Sequence, residues 1–268
     1  MQFDICLLTD PGSCRPHNED CIRWIEPRDQ RLLDRKGILA MVADGMGGHR
    51  AGQLASHLAV EAVTRSYYHN QCNHPLRALQ EAFIDANRLI YRTSQRNHSY
   101  RGMGTTGTAL VLKNHRIYFA HVGDCRLYRL RGKKLDLLTE DHTLVMEMYK
   151  QGLIDFEDIK NHPQRNIITR ALGTRPEVSI STHHLRYPVK IGDCFVLCSD
   201  GLYDLVGDDE IKCYVVANSP NSACRKLIAL AKRRGGYDNI SIGIFAVRAA
   251  AQTPQKVSIT CSLKGRLS

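Results

Sequence analysis

GILAMVADGMGG, residues 37–48, is a short apolar run that reads as a strand and stops at Asp44-Gly45 and the pair Gly47-Gly48. Beyond those glycines the apolar residues recur at a period of about 3.6. Leu54, Ala55, Leu58, Ala59, Ala62 and Val63 form one stripe, and Leu76, Leu79, Phe83, Ala86 and Ile90 form a second. A strand therefore feeds two consecutive amphipathic helices. Upstream, FDICLLT (3–9) and DCIRWIE (20–26) read as strands; downstream, strands return at TTGTALVL (105–112), RIYFAHV (116–122) and RLYRL (126–130). This order predicts an α+β fold in which helices stack on packed antiparallel sheets, and it disfavours alternating βαβ units.

Residues 141–175 are mostly polar, punctuated by Gly152, Pro163 and Gly173, with a short helix expected near TLVMEMYKQG (143–152). They read as a flap inserted into the fold, about 143–170. Regular structure resumes with DCFVLCSD (193–200) as a buried strand, helices near 208–219 and 222–234, and a last strand at ISIGIFAV (240–247). From 251 to 268 no period is sustained, so a domain of residues 1–250 followed by a flexible tail is expected.

At 268 residues and 43% hydrophobic content the chain can bury one sizeable core, and a single domain follows. No window reaches the roughly 18 uninterrupted apolar residues of a membrane span. The start, MQFDICLLTDPG, lacks the basic and apolar segments of a secretory signal, so a cytoplasmic protein is expected. Ten cysteines show neither a CxxC pair nor a zinc-type Cys/His cluster, and are expected to be reduced thiols. The net charge of +10 favours acidic partners. Its densest stretch, Arg126 to Lys134, surrounds the turn of a predicted hairpin and reads as a solvated edge or a docking patch. Nucleic-acid binding is not expected, since stacking aromatics and known modules are missing.

Three aspartates share one context. Asp44, Asp200 and Asp238 each lie beside an apolar run and are followed by Gly or Asn (VADG, LCSDG, YDNIS). Taken alone, each Asp-Gly is a turn. Taken together, carboxylates fixed at strand ends and converging on one cleft require a cation between them. Oxygen donors without His or Cys suit Mg2+ or Mn2+. Nearby, GSCRPHNED adds Arg15, Glu19 and Asp20, a guanidinium beside two carboxylates.

In family order the chain carries RPHNED (15–20), DGMGGH (44–49), GTT (104–106), HVGDCR (121–126), EDHT (140–143), ITRALG (168–173), CSDGL (198–202) and YDNIS (237–241). With these it resembles the metal-dependent protein phosphatases of the 2C type, in the form of the bacterial Ser/Thr branch, over roughly residues 8–247. The resemblance implies a four-layer αββα sandwich: two packed antiparallel β-sheets flanked by helix pairs, with the flap as an insertion. It implies hydrolysis of phosphoserine and phosphothreonine in proteins by a water activated between two Mn2+ or Mg2+ ions. By this resemblance Asp44 bridges the ions, the Gly45 carbonyl completes the first shell, and Asp200 and Asp238 hold the second ion. Glu19 and Asp20 stand at matching ligand or water-orienting positions, Asp124 at that of a third ion, and Arg15 at that of the phosphate contact. The implied partners are phosphorylated substrates of a Ser/Thr kinase, acted on by a monomer.

Where animal relatives carry a histidine proposed as general acid, this chain has Met46. His49 is the nearest candidate acid, though a histidine closing a glycine turn also has a structural reading. His121 is expected to be a satisfied core histidine, and His142 to order the loop entering the flap. No cysteine has the Cys-x5-Arg arrangement of thiol phosphatases. The rival function is a catalytically silent phosphatase-like module that docks phosphoproteins.

Overall fold

The structure is a computed structural model that describes residues 2–48 and 50–249; the expected tail at 251–268 and His49 lie outside them. Its first strands, β1 (Gln2–Asp10) and β2 (Asp20–Ile25), are followed by a short helix α1 (Gln30–Lys36) and the buried strand β3 (Ile38–Met46). Gly47 and Gly48 then turn the chain with φ of 121° and 79°, a region that residues with a Cβ rarely enter. The helix pair α2 (Arg50–His69) and α3 (Pro75–Arg96) follows, with Pro75 opening α3 where its missing N–H is not needed.

The expected strand at 105–112 is broken. Thr106 separates β4 (Gly104–Thr105), which pairs with the end of β3, from β5 (Gly107–Lys113). Next come β6 (Arg116–Val122), the hairpin β7 (Arg126–Arg131) and β8 (Lys134–Leu137), and helix α4 (Leu144–Lys150) inside the flap. The chain closes with β9 (Ser181–His184), β10 (Cys194–Cys198), the single-turn α5 (Asp200–Tyr203), α6 (Asp208–Ala217), α7 (Pro220–Arg233) and β11 (Ile240–Arg248).

Two antiparallel sheets result, one ordered β1-β11-β10-β7-β8 and the other β2-β3-β5-β6-β9 with β4 on β3. Three apolar layers hold them. Ala55, Ala59, Val63, Leu79, Phe83 and Ile90 of the first helix pair pack on Leu39, Met41, Ala109 and Val111 of the second sheet. Val42, Leu110 and Phe119 meet Leu127, Phe195 and Phe245 between the sheets, where Trp24 stacks on Phe245 at 5.0 Å. Ala223, Leu227 and Ala231 of α7 cover Val196, Ile242 and Ile244 on the far side. This is the four-layer αββα sandwich.

The basic hairpin is a solvated edge, with β8 last in its sheet and Lys133 and Lys134 exposed, and most of its charges are paired. Arg126 pairs with Asp141, Arg129 and Lys134 with Asp136, and Arg131 with Asp193, at 2.6–2.7 Å. Every cysteine among the described residues is free, and no helix there is long and apolar enough to cross a membrane.

Candidate active site

In the β2–β3 ladder Asp20 lies directly opposite Asp44. The backbone of Asp44 is pinned on both sides: its N–H donates to Thr106 Oγ1 at 2.9 Å, and its carbonyl accepts from Thr105 Oγ1 at 2.7 Å and Thr106 N–H at 2.8 Å. The Gly45 N–H donates to the Glu19 carbonyl at 3.2 Å, and a Cβ on Gly45 would stand 2.1 Å from the Gly52 carbonyl oxygen. Only glycine fits there.

The other sheet contributes from the opposite side. Asp200 starts α5 just past β10, and Asp238 precedes β11. Asn239 ties this side to the first, because its Nδ2 donates to the carbonyls of Pro11 and His17 and its Oδ1 accepts from Glu19 N–H at 2.7 Å. Ser199 Oγ donates to Asp20 Oδ2 at 2.7 Å and accepts from Ser241 N–H at 3.0 Å. Arg15, Glu19, Asp44, Gly45, Asp200 and Asp238 thus line one cleft of about 320 Å3, with Asn166 and Ile168 of the flap above. Asp124, on the turn from β6 to β7, borders an adjoining cavity of about 440 Å3 that shares Asp200.

The electrostatics are those of crowded carboxylates. Burial, then the charges of Asp20, Asp200, Asp124 and Asp238, push the Asp44 carboxyl well above the ordinary range. Asp200 moves the same way from burial and from Asp124 and Asp238. Asp20 is pushed up to about 6 and Asp124 to about 7, in both cases mainly by burial. Oδ1 of Asp20, of Asp124 and of Asp200 is buried with no hydrogen-bond partner. Such oxygens are expensive to leave unsatisfied, and hard oxygen donors around shared negative charge fit a divalent cation such as Mn2+ or Mg2+. Among the described residues no three acidic, His or Cys side chains are already gathered into a closed metal-holding group. The fit therefore rests on the partnerless oxygens of Asp20, Asp124 and Asp200 and on their donor chemistry.

Arg15 reaches this cleft and donates through Nη2 to Asp238 Oδ2 at 2.7 Å. Met46 lines the cleft and brings no acid to it. His121 is 1% exposed, with Nδ1 2.8 Å from Thr108 Oγ1 and Nε2 donating to the Glu140 carbonyl. His142 holds the turn before Asp124, its Nδ1 accepting from Gly123 N–H at 3.1 Å. The supporting residues Thr105, Thr106, Ser199, Asn239 and Tyr203 had no reading from sequence. Thr105, Thr106, Ser199 and Asn239 lie within the quoted motifs and Tyr203 directly follows CSDGL, which is the only signal that marks them.

The Protein phosphatase 2C family model matches residues 17–223. The protein phosphatase PhpP of Streptococcus pneumoniae is 33% identical over 250 residues, covering 91% of this chain and 98% of that protein. The serine/threonine phosphatase of S. agalactiae superposes with a TM-score of 0.81 at 34% identity, over 92% of this chain and 100% of that one. The catalytic domain of the phosphatase PstP, solved in complex with two manganese ions, gives a TM-score of 0.76 at 30% identity, over 92% and 99% of the two chains. With its own carboxylates drawn from both sheets into one cleft, the chain belongs to the protein phosphatase 2C family and is an enzyme of the protein serine/threonine phosphatase class.

Proposed function

We propose that this enzyme hydrolyses phosphoserine and phosphothreonine esters of proteins using two divalent ions, Mn2+ or Mg2+, and that it opposes a Ser/Thr kinase as a cytoplasmic monomer. The observation that carries this reading is the set of buried carboxylate oxygens without partners on Asp20, Asp124 and Asp200, with Asp200 shared by the cleft and the cavity beside it. Asp44 would bridge the two ions, the Gly45 carbonyl would join it, and Asp200 and Asp238 would hold the second ion from the opposite sheet. Glu19 and Asp20 would ligate or orient water, and Asp124 with Asp200 would offer a third, weaker position. Bound there, the ions supply Lewis acidity toward the phosphoryl oxygens and a water acidic enough to act as nucleophile near neutral pH.

The chain's own part is to hold charge and to orient. Its carboxylates fix the position of an in-line attack without a covalent enzyme intermediate. The fork of Arg15, half-exposed at the rim, is suited to two phosphate oxygens once it leaves Asp238. Met46 offers no proton, so the leaving alkoxide takes its proton from elsewhere in the cleft.

Purified protein with Mn2+ is expected to release phosphate from a phosphothreonine peptide, and a chelator should abolish that release. Asp200→Asn is expected to lower turnover by at least about 100-fold, given what preorganised charge contributes to such transfers. Equal rates for Asp200→Asn and the unaltered protein, or turnover that survives chelation, would sink the reading.

A further inference from the structure

Arg126 is the last residue of HVGDCR and the first of β7, two positions beyond Asp124. Its guanidinium is held on two faces. Along its edge, Nη2 donates to Asp141 Oδ2 at 2.7 Å and Nε lies 3.2 Å from each Asp141 oxygen. On its flat face it stacks over the Tyr203 ring at 3.7 Å. Lysine, a point charge on a flexible stem, lacks the planar fork that makes both contacts at once.

Tyr203 ends the single-turn helix that Asp200 begins, and its hydroxyl donates to the Asp124 backbone carbonyl at 3.1 Å. The same ring therefore joins the element carrying Asp200 to the turn carrying Asp124. From the other side the flap stem grips that turn: His142 N–H donates to the Gly123 carbonyl at 2.8 Å while His142 Nδ1 accepts from Gly123 N–H. Asp124 is 4% exposed, and its Oδ1 has no partner, as is also true of Asp200 Oδ1. Both residues border one cavity, and neither Oδ1 is held in place by a hydrogen bond.

We propose that Arg126 and Tyr203 are positioning residues: Arg126, anchored by Asp141, clamps Tyr203, and Tyr203 sets the spacing between Asp124 and Asp200 and so the weaker cation site those two form. The proposal rests on Asp124 and Asp200 acting as cation ligands. Outer partners of this kind fix ligand orientation rather than touching the ion.

Manganese binding to the full chain, followed by calorimetry and by the electron paramagnetic resonance of free Mn2+, tests this without recourse to turnover. Tyr203→Phe keeps the ring under Arg126 and removes only the hydroxyl. It is expected to weaken the weaker class of Mn2+ binding about 10-fold, within the range that outer-partner changes produce, and to leave the tight class in place. Arg126→Lys should act in the same direction; where that variant fails to fold by urea titration, Tyr203→Phe carries the test. A Tyr203→Phe isotherm that superimposes on that of the unaltered protein overturns the proposal, as does equal weakening of both classes. Asp124→Asn separates the two levels. If it removes the weaker class while Tyr203→Phe does not, the positioning role alone fails; if it changes nothing, the ligand reading fails and takes the proposal with it.

Discussion

Glu19 and Gly52 meet so closely that a Cβ on Gly52 would lie 1.8 Å from Glu19 Oε2. The nearest atom is the end of a flexible side chain and the Gly45 carbonyl oxygen follows at 2.9 Å, so Gly52→Ala should displace the Glu19 carboxylate and press on that carbonyl rather than unfold the chain. Aryl phosphate turnover is expected to fall about 10-fold at limiting Mn2+ while the urea midpoint moves little, as for other disturbed ligand supports. His121 offers a test of pH. Burial holds it down to about 4 from an ordinary 6.5, aided by His183 and Arg170 and opposed by hydrogen bonds to Glu140 and Gly123. The unfolded chain then gains a proton below pH 6.5 that the folded chain refuses until about 4. This share of stability is fully present above pH 6.5 and is lost as pH falls toward 4, by at most about 3 kcal/mol. Urea midpoints at neutral and acid pH should diverge less for His121→Gln than for the unaltered protein. At this scale Asp44, Asp200 and Asp238 were legible because each repeats the same local context. Their supports were not, because Thr106 lies 62 residues from Asp44 and Asp238 lies 223 from Arg15, and no local pattern encodes contacts across such separations.

Among the elements, long periodic ones were plain from sequence and short ones were not. QRLLDRK becomes α1 although seven residues give too few turns for a period to show; its start is set by the Asp29 carboxylate accepting from Arg31 N–H. Ser181–His184 becomes β9 only because it pairs with β6, and its polar residues carry no strand signal of their own. The flap follows a different rule. A bridge between Thr143 and Ile168 closes its stem, and within it Tyr149, Leu153 and Phe156 stand exposed. An insertion pinned at its base and open above should govern which peptides approach. Exchanging residues 144–165, which leaves the cleft-lining Asn166 and Ile168 in place, for another sequence of equal length is expected to change relative kcat/KM among phosphopeptides by at least about fivefold. Aryl phosphate hydrolysis should stay within about twofold, because the rigid strands beneath are untouched. Loss of both activities together would contradict this division.

For the whole molecule, the order of strands and helices was enough to stack helices on packed antiparallel sheets, since each change of period marks a change of packing surface, while the four-layer arrangement came from the family resemblance. Which strands neighbour one another was not legible, because β1 pairs with β11 and β10 with β7 across long stretches of chain. The middle layer should matter most to global stability. Phe245 is 1% exposed between the sheets, and Phe245→Ala is expected to cost about 3–5 kcal/mol by urea unfolding, the range for large aromatic truncations in a core. Asp20 and Asp44 belong to one sheet and Asp200 and Asp238 border strands of the other, so the cleft straddles the seam between them. Mn2+ should accordingly raise the melting temperature in proportion to the logarithm of its concentration, by preferring the folded chain. A cation clasped across that seam, as proposed, would work as an interlock. On the proposed ligand set, either half of the sandwich formed without its counterpart would hold only part of the cation site, so hydrolysis would wait until both halves had closed.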